Sequence, residues 1–207
     1  MMPYDEDYPV VCFDKRPCFL IGDTVEPIKM SSGQVAKENY AYSKHGSCCV
    51  LAAIEPLTGQ RLAHVKEQRT SKEFAEFMMA LALNYPKAKR IKVVLDNLNT
   101  HTYAAFYRIF DAETAAWLMQ KIEFIYTPKS SSWLNMIEIE FSVLSRKCLN
   151  RRISCIKELR NEVLTFFKER SDKNIGINWS FTPQIARQKL NRRYVKINAD
   201  NTKFKEQ

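Results

Sequence analysis

Two short apolar runs in this chain each lead directly into an aspartate. Residues 10–13 precede Asp14, and residues 91–95 precede Asp96. Runs of this length that are rich in valine and isoleucine are typical of buried β-strands. If the two strands lie side by side and parallel, both carboxylates emerge at the same edge of the sheet, where open α/β sheets usually bind their ligands. The pattern therefore constrains the fold and the place of a site together.

The segments after the first strand predict a β-hairpin. A polar stretch through Gly33 has the composition of a loop. Apolar residues then fill positions 47–54 and 61–65, and the turn-forming residues 55–60 lie between them. Two such runs joined by a short connector that contains proline and glycine indicate antiparallel strands.

The next segments alternate between helix and strand. Thr70 opens a capping box, and apolar residues then recur at helical spacing until Pro86 ends the run. The strand that ends at Asp96 follows, then a helical region at 102–121 and a short strand at 122–126. This order predicts an α/β fold with a mixed sheet flanked by helices.

The last part of the chain is predicted to be helical. Apolar stripes indicate helices at about 133–149, 156–169 and 183–194. The first of these carries Glu138 and Glu140, which point about 200° apart around a helix axis. Only one of the two can face a site that is fixed by the sheet.

The length fits one domain, because a chain of 207 residues buries roughly 70% of its unfolded surface on folding. We expect an N-terminal extension at 1–9, a single domain at 10–196 and a disordered tail at 197–207. The sequence contains no apolar run near the ~20 residues that span a bilayer, and its start lacks a signal peptide. These features predict a cytoplasmic protein without a membrane partner.

Six cysteines show neither a CxxC pair nor the Cys/His spacing of a zinc site. Several lie inside apolar runs, and in a reducing compartment we expect them to be free thiols in the core. A structural zinc is not predicted.

The net charge of +9 is concentrated in the last third of the chain. Residues 144–207 hold 16 basic and 6 acidic side chains, whereas the rest of the chain is nearly neutral. This asymmetry suits a polyanion held by the C-terminal third, and a solvated helical face is the alternative. The candidate phosphate contacts are Arg146, Lys147, Arg151 and Arg152 near the third helix, and Arg187, Lys189, Arg192 and Arg193 near the end.

Asp14, Asp96 and Glu138 can supply the hard oxygen ligands that Mg²⁺ or Mn²⁺ prefers. Two such ions roughly 3.5–4 Å apart activate a nucleophile and stabilise the leaving oxygen in phosphodiester cleavage. Each residue also has a plainer explanation. An aspartate after a strand is often a turn or cap residue, and Glu138 could complete a capping box with Asn135.

The sequences around these acids resemble those of mariner-superfamily transposases. Residues 96–101, Asp-Asn-Leu-Asn-Thr-His, are similar to the Asp-Asn-x-x-x-His signature around the second carboxylate of that superfamily. Residues 127–138 resemble its proline-rich lead into Leu-Asn-Pro-Ile-Glu. The similarity is strongest to the bacterial insertion-sequence branch and extends from about Val10 to Tyr194.

The resemblance implies a ribonuclease H-like fold and a DDE nuclease that cleaves transposon ends and joins the 3′-hydroxyl to target DNA with Mg²⁺ or Mn²⁺. It assigns the three carboxylates to Asp14, Asp96 and Glu138, rather than Glu140, and places Asn97 and His101 beside the metals. A local hydrogen bond at a helix start is the alternative for His101.

Some features depart from the family pattern. Lys15 stands where relatives often carry an acidic residue, and Met136 replaces a proline. Only nine residues precede the first strand, so helix-turn-helix modules that read transposon ends are not expected here. We expect a catalytic domain alone, which would be the second frame of a split element, a truncated remnant or an excised domain.

The expected partners are double-stranded DNA at the transposon end and the target, a second copy of the chain in the active complex, and a separate helix-turn-helix polypeptide. The alternative function is a decayed transposase that serves as a nucleic-acid-binding or oligomerisation module. The intact set of three acids favours the enzyme.

Overall fold

The computed structural model describes residues 4–35, 37, 39–129 and 131–197, and at 190 and 192–197 it describes the backbone alone. The described chain forms strands β1 (Val10–Asp23), β2 (Tyr42–Ile54), β3 (Arg61–Lys66), β4 (Ile91–Leu95) and β5 (Ile122–Tyr126). Its helices are α1 (Ser71–Asn84), α2 (Ala104–Ile109), α3 (Ala112–Lys121), α4 (Ile137–Lys147), α5 (Ile156–Asp172) and α6 (Pro183–Ile197). The chain divides into two compact units, residues 1–177 and 178–207. The tail predicted after 197 lies outside the described residues.

All five of these strands belong to one sheet in the order β3-β2-β1-β4-β5. β1, β2 and β3 pair antiparallel, whereas β4 is parallel to both β1 and β5. The predicted mixed sheet flanked by helices is therefore confirmed.

The two faces of the sheet carry separate hydrophobic cores, because successive residues of a strand point to opposite sides. Phe13 lies in the core that α1, α2 and α3 cover, together with Phe74, Phe77 and Phe106. Cys12 lies in the other core, which α4 and α5 cover with Ile137, Leu144 and Val163. The alternation along β1 therefore directs Asp14 to the side of the sheet that faces α4.

β1 is longer than the sequence predicts and does not end at Asp14. It continues to Asp23 because its second half pairs with β2, while its pairing with β4 stops at Cys12. Beyond Cys12 the other edge of β1 has no strand partner within the described residues, and Ile21 donates there to the backbone carbonyl of Ile153 at 2.9 Å. A proline, which cannot donate to a ladder, is tolerated at such an edge, and this explains why Pro17 does not break the strand.

The hairpin between β2 and β3 and the capping box of α1 form as predicted. Glu55 donates its backbone N–H to the carbonyl of Gln60 at 2.8 Å. Thr70 accepts from the backbone of Lys72, and Glu73 accepts from the backbone of Thr70. Both elements are local, so their signals lie wholly within short stretches of sequence.

Two helical predictions differ from the structure. The region 102–121 is two helices rather than one, because Phe110 is extended and Asp111 caps α3 through the N–H of Thr114 at 2.9 Å. The helix predicted from residue 133 begins at Ile137, after a 3₁₀ turn at Ser132–Leu134.

The cysteines are all free, and Cys12, Cys18, Cys48 and Cys49 are buried as expected, whereas Cys155 is exposed. No helix within the described part of the chain is long and apolar enough to cross a bilayer.

Candidate active site

The parallel pairing of β1 with β4 aligns two of the predicted acids. Val10 pairs with Lys92 and Cys12 with Val94, so the same register places Asp14 opposite Asp96. Asp96 is the first residue after β4. Asp14 is 7% exposed, and the side chain of Asp96 is 25% exposed. Both carboxylates therefore lie at the carboxyl end of the parallel pair.

Glu138 reaches the same region from the first turn of α4, where it is exposed. The start of α4 is held against β1 by Asn135, a buried residue whose Nδ2 donates to the carbonyl of Phe13 at 2.8 Å. The Oδ1 atom of Asn135 accepts from the N–H of Ile137 at 3.4 Å. One side chain thus joins the residue before Asp14 to the helix that carries Glu138.

Asp14 responds electrostatically to both other acids. Burial raises its pKa to about 6, and the negative charges of Asp96 and Glu138 act in the same direction. The backbone N–H of Lys15, which donates to Asp14 Oδ1 at 2.7 Å, and the His101 ring oppose this rise. The three acids therefore share one electrostatic environment.

His101 lies directly beside Asp96. Its Nδ1 atom is 2.5 Å from Asp96 Oδ1 and 3.4 Å from the backbone carbonyl of the same residue. The ring is 1% exposed and stacks on Phe74, with 4.7 Å between ring centroids. Asn97, in contrast, is exposed. His101 is thus fixed by packing on one side and by Asp96 on the other.

The sequence profile of the family described as DDE superfamily endonuclease matches residues 9–160, which include all three acids and His101. The chain belongs to this family. A comparison with curated protein sequences found no significant match.

Solved structures similar to this chain include complexes of the Mos1 mariner transposase. The Mos1 mariner paired-end complex with Mn superposes with a TM-score of 0.55 at 13% identity and covers 93% of this chain and 55% of that chain. The pre-cleavage Mos1 transpososome gives a TM-score of 0.56 at 14% identity, over 93% and 56%. The similarity confirms the predicted ribonuclease H-like fold. This chain spans about half the length of the Mos1 chains.

Glu140, the second acid of α4, occupies a different environment from Glu138 in this DDE endonuclease. It is fully buried and accepts two hydrogen bonds from Arg61, at 2.8 and 3.0 Å, and two from Arg170 at the same distances. Burial acts to raise the pKa of Glu140, but the hydrogen bonds and charges of the two arginines outweigh it and lower the pKa. Glu140 therefore ties α4 to β3 and α5.

The donor set of the domain suits a hard divalent cation. Oδ1 of Asp96 is buried and, apart from its contact with His101, has no hydrogen-bond partner among the described residues. Within those residues no three Asp, Glu, His or Cys side chains are arranged to hold one ion together. Mg²⁺ keeps several waters and usually takes one or two carboxylates from a protein, so a pair such as Asp14 and Asp96 is enough to fit this requirement, with Glu138 close to Asp14.

The basic residues predicted near α4 differ in their contacts. Arg152 donates to Asp23 Oδ1 at 2.6 Å, and Arg151 lies 2.7 Å from Glu162. Arg146 and Lys147 are exposed and have no carboxylate partner within the described residues. The predicted set is thus divided into two arginines that are ion-paired and two side chains that remain open to solvent.

The basic residues predicted near the end lie in the second unit, on α6. Arg187 and Lys189 are exposed there, and Lys189 Nζ lies 5.9 Å from the ring centroid of Phe181. The side chains of Arg192 and Arg193 lie outside the described residues.

Three arginines and one asparagine make contacts near the acids that the sequence did not predict. The sequence pattern around Asn135 predicts a helix cap, yet its side chain also bridges to β1. Arg61 and Arg170 pair with Glu140 across long sequence separations, which no local pattern reveals. The position of Arg16 could have been predicted from the sequence. Arg16 lies two residues after Asp14 in β1, so both side chains are on the same face of that strand.

Proposed function

We propose that this chain is the catalytic domain of a metal-dependent DNA transposase, which cleaves phosphodiesters at transposon ends and joins the 3′-hydroxyl to target DNA. The observation that carries the proposal is the meeting of Asp14, Asp96 and Glu138 at one edge of a DDE endonuclease sheet. The strand-transfer complex of Mos1, with a TM-score of 0.55, supports the same assignment.

Asp14, Asp96 and Glu138 would hold Mg²⁺ or Mn²⁺. When bound, such ions supply charge stabilisation for the attacking and leaving oxygens of a phosphodiester. The solvent exposure of Glu138 and the two arginine partners of Glu140 support the choice of Glu138 as the third ligand.

The chain's own groups fix the geometry of these acids. His101 restrains the carboxylate of Asp96, and the Phe74 ring restrains His101 in turn. Asn97 is exposed beside them and can reach a phosphate or a bound water. Such preorganisation lowers the cost of aligning the reacting groups.

Double-stranded DNA is the proposed partner, at both the transposon end and the target. The exposed cations Arg146 and Lys147, at the far end of the helix that carries Glu138, support phosphate contacts along that helix. The paired-end complex of Mos1 supports a second copy of the chain in the active complex. The insertion-sequence resemblance supports two further proposals, a separate helix-turn-helix polypeptide as partner and a location in the bacterial cytoplasm.

The test is cleavage of a duplex that carries the inverted repeats flanking the gene, in Mg²⁺ and in Mn²⁺. We expect nicking or joining by the wild-type protein and none by Asp96→Asn, with thermal unfolding of the two proteins compared in parallel. Asp172→Asn removes the same charge at an exposed position of α5 and should retain activity. Equal activity of Asp96→Asn and wild type would exclude Asp96 from the reaction. A wild-type protein that binds the duplex but never cleaves it would favour the decayed binding module.

A further inference from the structure

A cleft of about 310 Å³ runs along the edge of β1, beyond the point where β4 stops pairing. One wall is β1 itself, from Arg16 to Ile21, and the other wall includes residues 149–153. Three arginines line it, namely Arg16, Arg151 and Arg152. The cleft is therefore positively charged and begins two residues from Asp14.

The three arginines differ in whether an acid already neutralises them. Arg152 is paired with Asp23 at 2.6 Å, and Arg151 with Glu162 at 2.7 Å. Arg16 has no carboxylate within ion-pair distance among the described residues. Among the three arginines of this cleft, Arg16 is therefore the one whose positive charge is available to pair with a bound anion.

The hydrogen bonding of Arg16 is also incomplete. Its Nη1 donates to the carbonyl of Phe141 at 3.4 Å, near the limit of a hydrogen bond, and its Nε is buried without a partner. A guanidinium carries five N–H donors, and a buried charged donor without an acceptor is costly. An anion in the cleft would accept hydrogen bonds from the N–H groups of Arg16 that line it.

The position of Arg16 relates that anion to the acids. Two residues along an extended strand span about 6.6–6.8 Å, and residues i and i+2 lie on the same face, so Arg16 follows Asp14 on the side of α4. Phe141, which accepts from Arg16, lies one turn after Glu138 on α4. Arg16 thus sits beside both elements that carry the acids, just past them.

We propose that Arg16 binds a backbone phosphate of the DNA strand, within about two nucleotides of the phosphodiester held at Asp14 and Asp96, since one strand advances about 3.4 Å per nucleotide. A planar guanidinium pairs with phosphate oxygens through two parallel hydrogen bonds. Contacts of this kind position a duplex without reading its sequence. The inference rests on the proposed function and adds a phosphate contact outside the basic clusters of α4 and α6.

The test is the salt dependence of DNA binding by Arg16→Gln. Fluorescence anisotropy with a labelled duplex, in buffer without divalent ions, gives the slope of log affinity against log salt. We expect the slope to flatten by about one unit and affinity to fall equally for unrelated sequences. Arg16→Lys keeps the charge and should keep the slope, with weaker binding because lysine lacks the planar fork.

Arg90→Gln is the matched control. Arg90 precedes β4, at the opposite end of that strand from Asp96, and lies 3.8 Å from Glu123. Arg90→Gln removes the same charge as Arg16→Gln, but far from the cleft. Its slope of log affinity against log salt should therefore equal that of wild type. Equal slopes for Arg16→Gln and wild type would overturn the inference and leave the proposed function intact. A wild-type chain that binds no DNA would overturn both.

A second measurement needs no variant. Phenylglyoxal modifies accessible guanidinium groups, and peptide mass spectrometry reads each site of the wild-type protein. We expect DNA to protect Arg16 and to leave Arg90 as reactive as before. Equal modification of Arg16 with and without bound DNA would contradict the contact, even if Arg16→Gln fails to fold.

Discussion

The side-chain amide of Asn135 donates a 2.8 Å hydrogen bond to the backbone carbonyl of Phe13, the residue directly before Asp14. Asn135 is 1% exposed and lies three residues before Glu138. The bond therefore joins the strand that carries one acid to the start of the helix that carries another. Their relative position depends on this contact as well as on the packing of α4.

Asn135→Asp tests this connection, because aspartate keeps the shape and the acceptor, loses the donor to Phe13 and adds a buried negative charge beside that carbonyl oxygen. We expect a loss of about 1–3 kcal/mol in the free energy of unfolding, the usual cost of a buried group left without its partner. We also expect weaker Mn²⁺ binding by isothermal titration calorimetry. Asn161→Ala, on the exposed face of α5, should change stability by less than about 0.5 kcal/mol. If Asn135→Asp loses stability but binds Mn²⁺ as wild type does, the contact serves the fold alone.

The sequence predicts the elements around this contact better than the contact itself. Thr70 and Glu73 predict the start of α1, because a capping box is complete within four residues. Asp96 and Glu138 were located because each lies within a short ordered motif. Motifs of this kind depend only on neighbouring residues, so they can be recognised in the sequence without knowledge of the tertiary fold.

Features that depend on distant partners were not predictable from the sequence. β1 continues past Asp14 only because β2 supplies the pairing partner, which the charged residues Lys15 and Arg16 do not reveal. Asn135 has the local pattern of a helix cap, and its true partner, Phe13, is 122 positions away. The same limit hides the ion pairs of Glu140, since Arg61 is 79 positions away.

Glu138→Gln and Glu140→Gln should separate the two acids of α4. Glu138 is exposed, so its substitution should change stability by less than about 0.5 kcal/mol and abolish DNA cleavage. Glu140 is enclosed by Arg61 and Arg170, so its substitution leaves two cations without their carboxylate and should cost about 3–5 kcal/mol. Urea unfolding and cleavage assays below the unfolding temperature measure both effects. The reverse pattern would assign the third ligand to Glu140.

Glu140 also predicts a loss of stability in acid. Its pKa is lowered in the folded protein, so the folded state favours the ionised form more strongly than the unfolded chain does. This contribution is present above the ordinary pKa of a glutamate and disappears as pH falls through the lowered value. The stability difference between wild type and Glu140→Gln should therefore shrink as pH is lowered from about 6 to about 3, a range of about three units around the ordinary value. A constant difference over that range would contradict the assignment.

Divalent metal should stabilise the wild-type protein against thermal unfolding. An ion that binds only the folded state contributes about 2.7 kcal/mol at a concentration 100-fold above its dissociation constant. Differential scanning calorimetry with and without Mn²⁺ should show the increase for wild type and for the exposed control Asp172→Asn, and little or none for Asp96→Asn. An equal increase in all three proteins would indicate that the ion binds elsewhere.

Asp14→Asn should make the metal-free protein more stable at neutral pH. Burial raises the pKa of Asp14 to about 6, so the unfolded chain, with the lower ordinary value, releases its proton first as pH rises. Above about pH 6 the folded state carries an ionised, buried carboxylate, at a cost of about 2–3 kcal/mol for a rise of about two units. Below about pH 3, roughly one unit under the ordinary value, the carboxyl is protonated in both states, and this cost is absent. Asparagine keeps the acceptor for the N–H of Lys15 and carries no charge.

Urea unfolding of Asp14→Asn and wild type, without divalent ions, should therefore give a difference that is largest above about pH 7 and vanishes near about pH 3, roughly one unit below the unfolded value. We also expect Mn²⁺ not to stabilise this variant, because Asp14, which destabilises the metal-free protein, is one of the residues that we propose bind the ion. A variant less stable than wild type at every pH would show that the carboxylate contributes hydrogen bonds that outweigh its burial. Two results together would support a functional role for Asp14. Without metal, Asp14→Asn would be more stable than wild type, and Mn²⁺ would no longer stabilise the variant. Asp14 would then be a residue that is kept for function although it lowers the stability of the fold.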